Sequence, residues 1–390
     1  MTPGLLLLST AVLAQAPQGQ DPSLLKFGPV TIQPSFAIQN ISEDPNVFNS
    51  ATNPQSDFTM TISPKVGVTL NVRKSKTTFT QTVDYVYFKT FASERGTNYS
   101  YALGEQVELG ILQPFASVST ASSKSRINNE VDTRARHDNT QFAVGTGVNV
   151  FTRTHVSFKA RRSDTTFDPN ETFRGENLAQ AFNGFTRGFD TSVGVSLTPL
   201  TSLDVVFTDE QQRFDLSPDR NANSFAVMPT FSFSPLGLLN GTAAFGYRHF
   251  TPKDPSVPEF RGFVAQVTAA VTVYDKHRLS TSVVRDVTYS YDQVAVYYLQ
   301  NSIGGTWGYQ IGRGFDSQLG ATRNVMHYHQ TTTSGPADDI YTSYDVAFGY
   351  RIFPRLRASI NGTFSKRHSE ISADRAYDSN RVYGTVTWGG

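Results

Sequence analysis

"RGFVAQVTAAVTVYDKHRLSTSVVRDVTYSY", residues 261–291, holds the pattern that decides the fold. From Phe263 to Val273 every second residue is apolar: Phe263, Ala265, Val267, Ala269, Val271 and Val273. Between them stand Val264, Gln266, Thr268, Ala270 and Thr272. A period of two places the first set on one face of a strand and the second on the other. After a turn at Asp275–His277 the chain begins a second strand, with Leu279, Thr281 and Val283 opposed to Ser280 and Ser282.

The same alternation recurs along the chain. Val30, Ile32, Phe36 and Ile38 alternate with Thr31, Gln33, Ser35 and Gln39, and Phe142, Val144, Val148 and Val150 with Gln141, Gly145, Gly147 and Asn149. Near the end, Tyr344, Val346, Phe348, Tyr350 and Ile352 oppose Asp345, Ala347, Gly349 and Arg351. The polar faces are too small and too hydroxylated to fill a protein core. Composition agrees: 17% charged and 38% hydrophobic residues, with 29 Phe and 17 Tyr, exclude a disordered chain and a bundle of membrane helices. No run approaches the roughly 18 apolar residues of a spanning helix. The net charge of +1 points to no nucleic-acid partner, and with no cysteine there is neither a disulfide framework nor thiolate chemistry.

"MTPGLLLLSTAVLAQAPQ" opens the chain with an apolar stretch, Leu5 to Ala14, followed by small residues. This reads as a secretory signal, residues 1–14, cut after Ala14. A short periplasmic segment, 15–27, and one β-domain, 28–390, are expected after it.

Connection lengths choose between a soluble sandwich and a membrane barrel. Short breaks fall near 71–76, 111–114, 151–154, 197–202, 234–239, 274–278, 311–314 and 353–356. Longer polar breaks fall near 41–56, 92–97, 124–137, 165–184, 215–222, 252–258, 286–293, 329–338 and 368–378. Their strict alternation predicts an all-β fold: a closed, antiparallel transmembrane barrel of 18 strands, with short periplasmic turns and long extracellular loops. Closure follows because a strand in lipid leaves no backbone group unpaired. The apolar faces then point outward, and Tyr85, Tyr87, Tyr99, Tyr101, Tyr289, Tyr291, Tyr297, Tyr298, Tyr309 and Trp388 suit interfacial girdles. Pro34, Pro64 and Pro229, and Glu105, Arg285 and Arg323 on the apolar register, predict bulges or rim positions.

The inward faces carry the candidate pore lining: Lys65, Lys159, Arg161, Asp190, Asp204, Arg248, Asp345, Arg351 and Arg357. Glu108, Glu210, Asp286, Asp316 and Arg367 join them, giving a lining of mixed charge rather than a basic ring. Inward glycines such as Gly145, Gly194 and Gly349 are expected to leave open room. His327 and His329 share a face, but no carboxylate cluster accompanies them, so they read as a polar rim. No nucleophile elbow, zinc-protease helix motif or P-loop occurs, so neither an enzyme, a metal site nor a cofactor is expected.

Stretches such as "EVDTRARHDNTQFAVGTGVNV", "GTAAFGYRHFTPKDPSVPEFRGFVAQVTAAVTVY" and "RDVTYSYDQVAVYY" resemble the outer-membrane barrels grouped as putative β-barrel porin family 2. The resemblance covers most of the mature chain. It implies an outer-membrane pore for export of exopolysaccharide or capsule. The same barrel equally supports a passive porin for small hydrophilic solutes, or a non-conducting structural or adhesive barrel. The expected partners are outer-membrane lipid and lipopolysaccharide, the barrel-assembly machinery and a periplasmic polysaccharide-export protein, with no nucleic acid.

The longest break, "TTFDPNETFRGENLAQAFNG" at 165–184, is a candidate constriction loop. Its "ENLAQAF" suits one or two helical turns, anchored by Phe173, Leu178 and Phe182. Asp168, Glu171, Arg174 and Glu176 are then expected to face the lumen opposite Arg248, Lys159 and Arg161.

Overall fold

The computed structural model describes residues 24–234, 238–292, 295–312, 314–329 and 337–389. The expected signal, 1–14, and residues 15–23 of the segment after it lie outside the described residues. In chain order the strands begin with β1 (Leu25–Phe27), β2 (Val30–Asp44), β3 (Asp57–Val72), β4 (Ser75–Phe88), β5 (Gly96–Val107), β6 (Leu112–Ser125), β7 (Ala135–Phe151) and β8 (Thr154–Phe167). A small hairpin, β9 (Thr172–Phe173) and β10 (Glu176–Asn177), and a helix, α1 (Leu178–Phe182), lie within one connection. The wall resumes with β11 (Gly184–Thr198), β12 (Thr201–Phe214), β13 (Ala222–Phe233), β14 (Leu239–Pro252), β15 (Phe260–Val273) and β16 (His277–Tyr289). It ends with β17 (Tyr297–Ile311), β18 (Phe315–His329), β19 (Ala337–Phe353), β20 (Leu356–Ser369) and β21 (Tyr377–Trp388).

Each wall strand pairs antiparallel with its neighbours in sequence, and β2 pairs with β21 through Phe36↔Trp388 and Ile38↔Val386. The result is a closed 18-strand barrel. Beyond it, β1 turns through Gly28 and lies on the start of β2. Eighteen strands about 4.8 Å apart, tilted by about 40°, make a cylinder roughly 35 Å across its backbone.

One end carries tight connections: 73–74, 152–153, 199–200 and 354–355. In the β15–β16 hairpin, Tyr274 and Asp275 both take positive φ, 52° and 54°, the twist a tight antiparallel turn requires. The other end carries 45–56, 126–134 and 168–183. Along the wall the period of two sorts side chains. Phe142, Val144, Phe189, Val193, Phe348, Ile360 and Val382 are exposed on the outer face, while Asn139, Gln141, Ser192 and Asp190 turn inward.

The prolines need no bulge. At Pro64 and Pro229 one ladder loses its rungs, between Ile62↔Tyr85 and Lys65↔Thr82 and between Val227↔Tyr247 and Thr230↔Ala244, and the register resumes unshifted. The missing N–H costs a bond rather than a residue. Pro34 stays in register opposite Val66. Likewise no register shift occurs at Glu105, Arg285 or Arg323. Glu105 accepts from the Ser75 and Thr77 hydroxyls, and Arg285 donates to Phe263 O at 3.1 Å and Asn301 Oδ1 at 2.6 Å. The bulge that bends β2 falls instead at Asn40, whose φ is 59°.

Candidate channel lining and mouth

Most of the expected lining charges are tied into the wall. On β8 and β11, Lys159 Nζ lies 2.7 Å from Asp190 Oδ2, and Arg161 Nε lies 3.3 Å from the same oxygen. Arg161 Nη2 also reaches Glu210 Oε2 on β12 at 2.6 Å, crossing the intervening strand at Gly188. His155 Nε2 meets Asp204 Oδ1 at 2.6 Å across Gly194. Arg248 on β14 spans β15 to Asp286 on β16, with Nε 2.9 Å from Oδ1. Arg357 on β20 spans β19 to Asp316 on β18, at 2.9 Å and 2.5 Å, and Asp345 Oδ1 accepts from Thr363 Oγ1 at 2.8 Å. Lys65 and Arg351 have no carboxylate within 4.0 Å among the described residues.

These pairs correct the expected role of the glycines. A Cβ at Gly194 would collide with His155 and Asp204, and one at Gly349 with the Arg357 guanidinium. Glycine is needed there because a charged side chain passes over the strand to its next-but-one neighbour. The room it leaves belongs to the pairs, not to the lumen. At Gly145 the Phe115 ring takes the space. Two further expected lining residues lie elsewhere. Glu108 belongs to the connection after β5, and Arg367 is 1% exposed, held by Asp339 and Asp132.

The mouth at the long-connection end is filled from several sides. The β15–β16 ladder stops at Ala265↔Arg285, although both strands continue. Freed from β15, the end of the β16–β17 hairpin leans inward. Tyr289 packs its ring 4.8 Å from Phe214 on β12 and 5.7 Å from Phe250 on β14, and Tyr297 lies 5.1 Å from Phe250. Strands that far apart around the wall touch only through the interior. Tyr291, Tyr297 and Tyr298 are 4%, 0% and 1% exposed, so these rings, with Tyr289, build the closure rather than the interfacial girdle expected of them. Tyr85, Tyr87, Tyr99, Tyr101 and Trp388 do stand exposed. A buried ring of this kind contributes about 1.5–3 kcal/mol.

The hairpin meets connections arriving from the opposite wall. Glu130, fully buried between β6 and β7, accepts from Ser290 Oγ at 2.5 Å and from Tyr291 N at 3.3 Å. Arg367 Nη1 donates to Glu130 O at 3.0 Å, Arg220 donates to Ser290 O, and Arg375 donates to the Tyr291 hydroxyl. Burial pushes the Glu130 carboxyl up to about 7, against the lowering by its Ser290 hydrogen bond and by Arg375 and Arg367. Around this polar centre pack Val131, Ala135, Phe167, Phe173, Leu178, Ala179 and Tyr291.

The expected constriction loop forms part of the closure. Helix α1 is capped by the Asn177 side chain, which accepts from Gln180 N at 2.9 Å, and Phe173 and Leu178 are its buried anchors. Two of its charges take other partners than those expected: Glu171 Oε1 accepts from Arg136 N at 2.9 Å, and Arg174 reaches across to Asp374. The Asp168 backbone N–H goes to Arg136 O, and Glu176 stands in β10 opposite Phe173. Lys159, Arg161 and Arg248 are engaged by Asp190, Glu210 and Asp286 instead. His327 Nδ1 lies 2.7 Å from Asp338 Oδ1, while the His329 ring stacks 5.0 Å from that of Tyr297.

With the closed wall and its ion pairs described, comparison with known proteins gives the family. The model of the family described as Putative beta-barrel porin 2 matches residues 20–388. The chain belongs to that family. No curated protein sequence matches this member. Among solved structures it is similar to a BenF-like porin from Pseudomonas fluorescens Pf-5, at 11% identity over 92% of this chain and 99% of that one, with a TM-score of 0.51. It is also similar to OccK2 (OpdF) of Pseudomonas aeruginosa, solved with glucuronate, at 10% identity over 92% and 98%, TM-score 0.50. Against the FrpB iron transporter from Neisseria meningitidis the TM-score is 0.44 at 10% identity; 86% of this chain is covered, but it spans only 62% of that protein's length. At such identities the likeness is one of fold, that of outer-membrane porins.

Sequence reasoning missed Glu130, Ser290, Arg220, Arg367 and Arg375 as members of one mouth assembly. Glu130 and Ser290 are 160 residues apart, and neither lies in a motif. A weak signal was present: "INNEVDTR" and "YSYDQVAVYY" combine acidic and apolar residues in connections that a solvated loop would keep polar.

Proposed function

We propose that this family member is a gated outer-membrane channel for small hydrophilic solutes, with its long connections outside and its tight turns in the periplasm. The outward band of Phe, Val and Ile would face lipid, bounded toward the long connections by outward charges such as Arg162, Asp164, Arg187 and Arg261. Residues 28–390 would then form the membrane domain, delivered by the signal at 1–14, with lipid and the assembly machinery as partners.

The observation that carries the choice of solute is the contact of Glu130 with Ser290 and Tyr291 across the mouth. Connections from opposite walls are packed and hydrogen-bonded to one another, and a polymer chain could thread the barrel only by dismantling them. Small solutes require only local parting. Lys65, Lys159, Arg161, Asp190, Asp204, Arg248, Asp345, Arg351 and Arg357 would line the path below, mostly as paired charges that leave the lumen polar but nearly neutral. OccK2, of similar fold, was solved with glucuronate, a solute of this size class.

Purified barrel in planar bilayers, challenged with sugars of increasing size, tests the reading. Conductance blocked by mono- and disaccharides but not by larger dextrins supports a small-solute channel. Absence of current at every pH would exclude it. Loss of surface polymer in a deletion strain, with polymer synthesis intact, would restore the export reading.

A further inference from the structure

At the end of the barrel away from the mouth, four tight turns repeat one arrangement. "NVRK" (71–74), "VFTR" (150–153), "VYDK" (273–276) and "IFPR" (352–355) each end a strand on an apolar or aromatic residue and place a cation in the turn. In the second and fourth, a register shift at Asn149/Phe151 and at Arg351/Phe353 sets Phe151 opposite Thr154 and Phe353 opposite Leu356, on the face that Phe158 and Ile360 expose. Phe151, Tyr274 and Phe353 are 72%, 86% and 63% exposed, far more than a ring packed on its own chain. The backbone of each cation is pinned at the same point of its turn: the carbonyls of Lys74, Arg153, Lys276 and Arg355 accept from the N–H groups of Glu108, Ser196, Gln310 and Gly389 at 2.8, 2.7, 2.9 and 2.9 Å. Their side chains are not pinned. Arg73, Lys74, Arg153, Lys276 and Arg355 are exposed, and among the described residues none has a carboxylate within 4.0 Å. Lys76, Arg278 and Arg351, on the adjoining strand ends, add unpaired charge of the same sign. Asp204 and Asp316 are held by His155 and Arg357, which leaves Glu105, Glu108 and Asp275 as the opposing acids among the described residues of this end. The rim therefore carries an excess of positive charge that the chain itself does not neutralise.

We propose that the tight-turn rim is a collar for anionic phospholipid headgroups, with its aromatic residues seated at the edge of the apolar band and its cations on the headgroup phosphates beyond. An aromatic residue at the strand end followed two positions later by a long basic side chain, as in Phe151 and Arg153 or Phe353 and Arg355, suits the boundary between acyl chains and headgroups. The distribution of the cations favours lipid over an acidic protein. The turns after β3, β7, β15 and β19 are spread around a cylinder roughly 35 Å across, so their charges meet many separate headgroups more readily than one compact partner, which would need them gathered in a patch. The collar rests on the reading of the wall as membrane-embedded and adds to it the class of lipid held at one end.

Native mass spectrometry of the full barrel, released from micelles holding equal amounts of dioleoylphosphatidylglycerol and dioleoylphosphatidylcholine, tests the collar. Phosphatidylglycerol is expected to be retained about threefold or more over phosphatidylcholine, and high salt in the micelle buffer to shrink that excess. The combined replacement Arg73→Gln, Lys74→Gln, Arg153→Gln, Lys276→Gln and Arg355→Gln is expected to bring the ratio close to one, and Arg153→Gln with Arg355→Gln to lower it part of the way. Lys89→Gln with Lys253→Gln, at the long-connection end, should leave it unchanged. Retained heat-modifiable migration on gels establishes that each variant is folded. Parity in the wild type, an excess that survives the five replacements, or an equal loss in the Lys89 and Lys253 variant would overturn the proposal; parity with a salt-sensitive complex formed with polyglutamate would assign the rim to an acidic protein instead. Bilayer conductance of the same preparations keeps the two readings apart: parity in a channel with intact sugar-size selectivity removes the collar alone, whereas a barrel that retains neither lipid and passes no current overturns both.

Discussion

Replacing Glu130 with glutamine keeps the size and acceptor oxygen of the side chain but removes its proton equilibrium. In the closed mouth the carboxyl has a pKa of about 7, because it is fully buried; opened to water it returns to its ordinary 4.5. Between those values the closed form holds a proton that the open form has released. The closed form therefore loses stability as pH rises, by about 1.4 kcal/mol per unit and roughly 3 kcal/mol over the whole window. Below about pH 4.5 both forms are protonated, and above about 7 both are ionised, so the dependence ends at each side. Roughly 3 kcal/mol corresponds to about a hundredfold or more in the ratio of open to closed channels. Single-channel recording from pH 4.5 to 8 measures this directly. Wild-type open probability should climb through the window, while Glu130→Gln, a mimic of the protonated acid, stays closed and flat. A glutamine variant that titrates like wild type, or a wild type that closes as pH rises, would refute the reasoning.

Replacing residues 169–182 with a short Gly-Ser turn removes Phe173 and Leu178 from the closure and should raise single-channel conductance several-fold while the barrel still assembles; unchanged conductance would take this connection out of the gate. Gly349→Ala places a methyl group against the Arg357 guanidinium and should lower barrel stability by about 1–3 kcal/mol, read from unfolding midpoints in detergent, whereas Gly305→Ala, whose methyl would meet only Ser280 O at an ordinary 3.8 Å, should have little effect. Val144→Arg, on the exposed outer face, should destabilise the barrel in lipid by about 2–4 kcal/mol if that face meets the bilayer, and hardly at all if it meets water.

The alternation of residues 263–273 and its many repeats determine the wall, because period two is a local property and assigns every side chain to a face before any neighbour is known. Turn spacing then yields the number of strands, and pairing along the whole wall leaves closure as the way to satisfy both edges. That Lys159, Arg161 and Asp190 share one face was legible for the same reason, since all three stand on one register. Their pairing was not, since Arg161 meets Glu210 and Arg357 meets Asp316 across an intervening strand, and only the stagger between strands decides which charges face. The mouth was decided by tertiary structure alone. Tyr289, Tyr291, Tyr297 and Tyr298 have the local signature of aromatic residues at a strand end, which is the same whether the rings stop at an interface or fold into the barrel. What separates the two outcomes is the end of the β15–β16 ladder at Ala265↔Arg285, which frees the hairpin to lean inward, and the burial it gains there against Phe214, Phe250 and Glu130, residues that no local pattern connects to it.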